Sequence, residues 1–527
     1  MSLSVDISEY AYLKDRLSAG RFIHASQQIS AGTEILSVED PLICIPDEAH
    51  LDTCCHFCMA EESGESSSVN QAYKPPAKLS FCLGCRVVKY CSKACQTWDW
   101  KRKNHKYECD IYKAQYPRVL PTAARVMLRM AKHFLNETPS AKVFGGIGGL
   151  KAHVEDFQKA GGERWEMGNL TAKATAEFSK GSKAVNFEPD FMRDLYCKLL
   201  INSVTVTTQT FDPIGICLTY QAAMFNHSCD PNAIMLFDGR RLSVRSLKDI
   251  AKDTEITISY IDNLMTRKER KRELSSRYFF DCKCSLCSTK TQPFEASSCH
   301  KCSKLVPYTS NSCPSCQEAV PEDDLTSAIA QAAAITEKRE KKNADKSVDT
   351  TLKYIKSLYA TNLLPSTYPP NPQLHQDLAM SYIDAGDWKS ALLHLLTLYV
   401  RAYPVIYEKP FHPVRVVRTF TLAMVLIQVA VDAPEGFGER IDFTKVLYGL
   451  LTEISGNVEK SHGSSSGFAE MVRRKIQDVK VDMGIDSNQE TDKWAGKGLG
   501  GIPELEGEVK KIIKMVDDFV LDLKKAV

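Results

Sequence analysis

A chain of 527 residues, 43% hydrophobic and 25% charged, is too long for one core, and about three or four domains are expected. Its net charge of +2 supplies no global attraction to nucleic acid or membrane, so any basic patch has to be local. No apolar run reads as long as the roughly 18 residues of a membrane span, and the opening MSLSVDISEYAYLKDR lacks a basic stretch followed by an apolar one, so a soluble intracellular protein is expected.

Taken in chain order, residues 20–46 (GRFIHASQQISAGTEILSVEDPLICIP) alternate short β-rich runs with turn signals at Ala31-Gly32 and Asp40-Pro41, which predicts a small sheet. Residues 54–109 are rich in cysteine and are interrupted by ESGESSSVNQAYKPPAK, a polar stretch that reads as a flexible insertion. Residues 118–198 carry helical spacing with a glycine-rich break at 145–149. Strand signals return at 233–261, in AIMLFDGRRLSVRSLKDI and EITISYI. Beyond about residue 320 they vanish, and repeated amphipathic helices follow, with loops at 459–467 and 485–503.

The 19 cysteines all lie from Cys44 to Cys316, mostly as C-x2-C pairs, which in a chain without a secretory leader read as metal ligands rather than disulfides. The first group is Cys55-x2-Cys58, Cys82-x2-Cys85, Cys91-x3-Cys95 and His105-x3-Cys109. Zinc takes four N or S ligands tetrahedrally, and a C-x2-C turn or one turn of helix sets two of them on one side of the metal. Eight ligands make two closed sites; spacing alone leaves open which pair meets which.

Tyr90-Cys91-Ser92-x2-Cys95 with the closing His105-x3-Cys109 resembles a MYND finger. The resemblance implies interleaved pairing, with Cys55, Cys58, Cys91 and Cys95 on one zinc and Cys82, Cys85, His105 and Cys109 on the other. Cys54 competes with Cys55 for the first position, and Cys55 is preferred for its spacing. The family implies binding of proline-rich peptides. The basic residues Lys89, Lys93, Lys101, Arg102, Lys103 and Lys106 suggest a contact with DNA or an acidic surface, or equally a solvated face.

Downstream, NHSCDPN at 226–232, EITISYI and RYFFDCKCSLC are individually weak. Together with GRFIHASQQISAGTEIL they resemble a SET domain with its post-SET segment, and the whole resembles the SET- and MYND-domain lysine methyltransferases. The implied fold is α+β and multidomain. A SET fold (1–53 and 199–262) is split by the finger (54–109) and a helical insertion (110–198). A post-SET zinc segment (263–290), a zinc ribbon (291–320) and an all-α tetratricopeptide-like domain (321–527) follow.

The resemblance implies methyl transfer from S-adenosyl-L-methionine to a protein lysine, histone or non-histone. Tyr260 becomes the catalytic tyrosine, Tyr278 and Phe280 line the lysine channel, and Asn226, His227, Tyr260 and Phe280 contact the cofactor. An aromatic channel suits a cationic substrate, and burial favours the neutral amine the reaction needs. The loop Leu17-Ser18-Ala19-Gly20 replaces the family's G-x-G, and Ser18 brings a Cβ where glycine is usual. His153 is the one counterpart offered for a cofactor contact from the helical insertion; a solvent-facing helical histidine is the alternative.

Cys282-x-Cys284-x2-Cys287 is one thiolate short of a closed zinc site, and the family pattern makes Cys229 the fourth. Cys299-x2-Cys302 and Cys313-x2-Cys316 have zinc-ribbon spacing, two knuckles around a short hairpin (KLVPYTSNS), a feature typical relatives lack, and a fourth zinc is expected there. Cys44, Cys54, Cys197 and Cys217 are left as core thiols. In the tail, AGDWKSALLHLL reads as helix–turn–helix and resembles the family's tetratricopeptide-like tail.

The competing function class is a zinc-rich interaction scaffold on an inactive SET fold, with a DNA-binding regulator as a third. A monomer without membrane contact is expected, in nucleus and cytoplasm; KRKNHK and RKERKR (267–272) are basic enough for nuclear import, though a helix would make the second a solvated face.

Overall fold

The computed structural model describes residues 4–16, 20–62, 78–137, 145–180, 187–288, 293–307, 310–341, 343–431, 441–482, 494 and 496–525. The chain divides into two compact units, the first holding residues 1–66, 71–260 and 273–281 and the second 67–70, 261–272 and 282–527. Leu17, Ser18, Ala19 and most of the polar insertion lie outside the described residues.

The first unit is built on three small antiparallel sheets. Strands β1 (Ser4–Asp6), β2 (Ala11–Arg16) and β3 (Gly20–Ala25) form one in sequential order. A second has β12 (Arg241–Ser246) between β11 (Ala233–Asp238) and β4 (Glu34–Val38), and the third has β9 (Pro213–Leu218) between β5 (Ile43–Pro46) and β8 (Val204–Thr207). The turn expected at Ala31-Gly32 is present, with Gly32 at φ 88° leading into β4. Strand β5 is buried throughout, as its run Ile-Cys-Ile requires of a strand covered on both faces.

The β11–β12 hairpin closes through Gly239-Arg240, with Asp238 paired to Arg241. Gly239 sits at φ 60°, and a Cβ there would meet the Cys58 carbonyl oxygen at 2.8 Å. Arg240 donates to the Phe57 carbonyl at 3.1 Å and lays its guanidinium 4.1 Å from the Phe57 ring centre. The hairpin tip is thus a seat for the cysteine-rich module. Helix α3 (Thr122–Leu135) buries every residue from Ala124 to Ala131, including Arg125 and Arg129. The glycine break at 145–149 forms a tight turn whose Gly149 carbonyl accepts from Arg21 Nη2 at 2.6 Å.

The second unit is helical after β15 (Leu305–Val306), and among the described residues no strand follows. The helix–turn–helix of AGDWKSALLHLL is realised as Asn371–Asp384 and Trp388–Thr397, turned at Gly386 (φ 73°) and capped by Asp387, which accepts from Ser390 N–H at 3.0 Å. Long helices follow at Pro413–Val431, Phe443–His462, Gly467–Asp482 and Glu506–Lys525.

Three expectations change. The loop placed at 459–467 is helix as far as His462, because Val458, Ser461 and His462 are buried and packing outweighs the polar composition. Pro413–Val431 is long and apolar enough to cross a membrane by length and composition, contrary to the sequence reading. Its 18-residue window is 67% buried, with Val417, Phe420, Ala423 and Val425 fully enclosed, the pattern of a core helix. RKERKR opens the helix Arg267–Tyr278, yet Arg270 is fully buried, with Nη1 donating to the Met265 carbonyl at 2.6 Å and lying 3.6 Å from Glu295. A wholly solvated face is therefore excluded.

Candidate active site and metal centres

Within the finger the expected interleaving is what the fold produces. Cys55, Cys58, Cys91 and Cys95 form one cluster and Cys82, Cys85, His105 and Cys109 the other, each with its ligand atoms within 4.8 Å of one another. Cys58 Sγ is 3.5 Å from Cys91 Sγ, Cys91 from Cys95 likewise 3.5 Å, and Cys82 and Cys109 are 3.8 Å apart. Thiolates at tetrahedral corners around zinc stand roughly 3.8 Å apart, so both donor sets fit that metal. Cys55, not Cys54, belongs to the first set. Cys54 is buried, and desolvation pushes its thiol up to about 12.

The sets are assembled from local pieces. Cys91 precedes α1 (Lys93–Arg102), whose cap Ser92 accepts from Cys95 N–H at 3.1 Å; His105 and Cys109 are one turn apart on α2 (His105–Gln115). Behind the second set lies a buried charge network. Asp99 accepts from His56 Nδ1 at 2.9 Å, from the Tyr90 hydroxyl at 2.8 Å and from Arg129 at 2.9 Å. Arg129 also donates to both Glu108 oxygens, at 2.6 and 2.9 Å. Burial, the largest influence, raises the pKa of Asp99 and Glu108; the Arg129 charge together with the contacts of His56 and His105 outweighs it and holds both below the usual carboxylate range.

The basic character of the finger is weaker than its composition suggested. Lys103 is buried, donates to the Pro41 carbonyl at 2.6 Å and pairs with Asp40 at 2.8 Å. Lys89 donates to the Asp52 carbonyl at 2.9 Å. Lys93, Lys101, Arg102 and Lys106 are exposed.

The second constellation forms where β10 (Asn226–His227) runs parallel to β13 (Thr257–Ile258), a two-residue pairing shorter than EITISYI suggested. Asn226 Nδ2 donates to the Arg21 carbonyl at 3.2 Å and to Glu255 Oε1 at 2.9 Å. Asn232 holds the crossing from the other end: its Oδ1 accepts from Thr257 N–H and its Nδ2 donates to the Glu255 carbonyl, both at 2.8 Å.

His227 Nδ1 accepts the backbone N–H of Tyr260 at 3.0 Å. An accepting Nδ1 leaves the ring proton on Nε2, which faces Cys229 Sγ at 3.2 Å and donates to it. The Tyr260 hydroxyl donates to the Phe225 carbonyl at 2.5 Å, and the Tyr278 hydroxyl donates to the Tyr260 carbonyl at 3.2 Å. Ring centres lie 5.0 Å apart for Tyr260 and Tyr278, 5.3 Å for His227 and Tyr260, and 5.9 Å for His227 and Phe280. All four rings are half-buried, and Tyr260 packs against the core of the first unit. Desolvation, then the neighbouring Tyr278 and Glu255, raise the pKa of Tyr260, and desolvation raises that of Tyr278. Both phenols keep their protons at neutral pH.

Residues 20–261 match the SET domain family. The chain is 29% identical over 269 residues to the SET domain and MYND-type zinc finger protein 6 of Schizosaccharomyces pombe, covering 51% of this chain and 50% of that one. It is 32% identical over 217 residues to the human histone-lysine N-methyltransferase SMYD3, covering 40% and 50%. With the histone-lysine N-methyltransferase ASHR1 of Arabidopsis thaliana it shares 23% identity over 489 residues, 85% of this chain and 94% of that one. The chain is similar to the SET- and MYND-domain proteins, and its residues 20–261 carry the SET domain. Its match spans about half the length of the first two of these relatives.

Set against that family, Asn226, His227, Tyr260, Tyr278 and Phe280 are brought together within the first unit. Gly20 opens β3 opposite Arg16, while Leu17, Ser18 and Ala19 are outside the described residues. His153 is not a helix-interior residue. It precedes the helix Val154–Ala160 at φ 54°, contacts Asp156 at 2.8 Å and lies 5.6 Å from the Phe279 ring. Asn232, Glu255 and the Phe225 carbonyl were missed as site atoms. Asn232 closes NHSCDPN and Glu255 opens EITISYI, so both signals were in view, but a backbone carbonyl has none. Cys229 belongs to the first unit. Cys282, Cys284 and Cys287 cluster in the second, at the short helix Ser285–Ser288, with sulfurs within 4.8 Å of one another.

Proposed function

We propose that the chain is a protein-lysine N-methyltransferase that uses S-adenosyl-L-methionine. The observation that carries this reading is the His227–Tyr260–Tyr278 arrangement, with Tyr260 fastened at both ends: backbone to His227 and hydroxyl to the Phe225 carbonyl. Its donor set suits a cation. The ring faces of Tyr260, Tyr278 and Phe280, beside the carbonyl oxygens of Phe225 and Tyr260, present partial negative charge. When bound, S-adenosyl-L-methionine supplies an electrophilic methyl carbon on a cationic sulfur.

The chain's own residues orient and desolvate. Tyr260 and Tyr278 hold their protons, so neither is the base that deprotonates the incoming lysine. The reference pKa of lysine is about 10.4, and an aromatic channel that strips water from the ammonium favours loss of its proton before it reaches the end. Rate then comes from positioning, since no covalent intermediate on the chain is involved. Asn226 and His227 form the cofactor wall, joined by Phe280, by Gly20 with the preceding Leu17-Ser18-Ala19 loop, and by His153. The family pattern makes the Cys229 thiolate a zinc ligand, and the Nε2–H of His227 donates to its sulfur.

The substrate is a lysine-bearing protein, histone or non-histone. The finger docks proline-rich peptide, and the helical region of 321–527 is tetratricopeptide-like. A monomer working in both nucleus and cytoplasm completes the reading. The deciding experiment is transfer of a labelled methyl group to histones and lysate protein, with Tyr260→Phe as control. No transfer by the wild-type chain, together with no cofactor binding by calorimetry, refutes it.

A further inference from the structure

One motif is left unused by methyl transfer: the two C-x2-C pairs between residues 299 and 316. Cys299, Cys302, Cys313 and Cys316 bring their sulfurs within 4.8 Å of one another. The contacts between the pairs are crossed, Cys299 to Cys316 at 3.6 Å and Cys302 to Cys313 at 3.5 Å. They come close to the roughly 3.8 Å edge of a zinc–thiolate tetrahedron.

Two observations independent of those distances point the same way. The first is the backbone. Cys299 N–H donates to the Lys304 carbonyl at 2.9 Å, and Ser303 N–H returns to the Cys299 carbonyl at 2.8 Å. The second pair repeats this with Cys313 to Glu318 at 2.8 Å and Gln317 to Cys313 at 2.9 Å. Ser303 and Gln317 both stand at φ 58°, a left-handed conformation that side chains rarely adopt. The finger builds the same turn at Cys55, with Met59 at φ 63°, and again at Cys82, with Arg86 at φ 58°. Four C-x2-C turns therefore share the closing bond back to the first cysteine and the left-handed residue that makes it, with Cys82 alone pairing its N–H one residue further on, at Val88, and two of them belong to the finger's metal clusters.

The second observation is the core. The buried cluster of this segment is Cys299, Val306 and Cys313, with Val320 packed at its margin. One fully buried valine does not hold such a segment in place, and modules with so little apolar core fold on a metal. The segment is also tied into its own unit, since Ser298 N–H donates to the Leu363 carbonyl at 2.7 Å and Pro321 leads directly into the helix Glu322–Glu340. The hairpin expected between the pairs instead encloses the first pair, Ser297–Ser298 pairing with Leu305–Val306. It braces one knuckle rather than bridging two.

We infer that Cys299, Cys302, Cys313 and Cys316 bind a structural zinc ion that anchors the head of the helical region. A closed four-thiolate shell leaves no open position, so the ion takes no part in chemistry.

The test counts metal in the full chain by mass spectrometry, a reading independent of methyl transfer. Cys313→Ser/Cys316→Ser and Cys299→Ser/Cys302→Ser each lose one zinc per chain relative to wild type. Unchanged zinc content in either folded double variant overturns the assignment, as does iron in place of zinc. If the variants do not fold, alkylation of the native wild-type chain decides. Cys302 and Cys316 are half-exposed, so bare thiols there react at once. Zinc-bound ones stay protected until a chelator is added, and immediate labelling overturns the site.

Discussion

His227 receives the backbone N–H of Tyr260 on Nδ1 at 3.0 Å and turns its protonated Nε2 toward Cys229 Sγ at 3.2 Å. One imidazole thus links the half-buried Tyr260 to the Cys229 thiol. The rigidity of Tyr260 depends on both its ends, because its hydroxyl is committed to the Phe225 carbonyl.

Tyr260→Phe removes that hydroxyl while keeping the ring that packs at 5.0 Å on Tyr278. The backbone bond to His227 survives, so the fold and most cofactor affinity are retained. Transfer of labelled methyl is expected to fall by roughly a hundredfold, the scale seen when one preorganised donor is removed from a reaction centre. Undiminished transfer refutes the role given to Tyr260.

Cys229→Ser keeps the size of the side chain and weakens the ligand. If the thiolate of Cys229 holds zinc, the variant loses one metal ion per chain and with it methyl transfer, while the two finger sites stay filled. Full activity with wild-type zinc content would sink the assignment.

How much of this was legible depends on how local the signal is. Zinc ligands announce themselves because a C-x2-C turn or one helical turn is set by the chain itself, and every finger ligand predicted at Cys55–Cys109 is in its cluster. Strand β4 was legible from alternation and from Gly32, and the meeting of Tyr260 with His227 from their motifs. Burial of charge was not. Lys103 and Arg270 were open to a solvated reading and Arg129 drew no reading, because their partners Asp40, Asp99 and Glu295 are 63, 30 and 25 positions away and only the fold brings them close. The length of the helix Phe443–His462 escaped for the same reason, its last turn being kept by packing.

Arg129 offers a direct measure of that hidden layer. Arg129→Met leaves Asp99 and Glu108 buried without their counter-charge, and losing one partner of a buried ion network costs about 3–5 kcal/mol. The expected result is a lower melting temperature and easier loss of zinc from the set containing His105, read with a chromogenic chelator. A variant as stable as wild type, with the same rate of zinc release, shows that the network does not hold the finger.

The helical unit carries a pH-dependence of its own. His375 and His394 are fully buried with their Nδ1 atoms 2.8 Å apart, and His375 Nε2 meets the Tyr359 hydroxyl at 2.9 Å. Only one proton fits between the two Nδ1 atoms, so protonating both rings sets two N–H groups against each other. Desolvation first, and then the charges of His394 and Arg401, push His375 well below its ordinary value; desolvation takes His394 down to about 3, with Asp387 opposing. Both folded pKa values are depressed, so their stabilisation is complete above the unfolded value of about 6.5 and is lost as pH falls toward 3. Between pH 7 and pH 5 the loss is about 2–4 kcal/mol for the pair. Hydrogen exchange in the helices Asn371–Asp384 and Trp388–Thr397, corrected for intrinsic rates, is expected to show that loss in wild type and a smaller one in His375→Gln/His394→Gln. Equal slopes in the two proteins exclude the pair as its source.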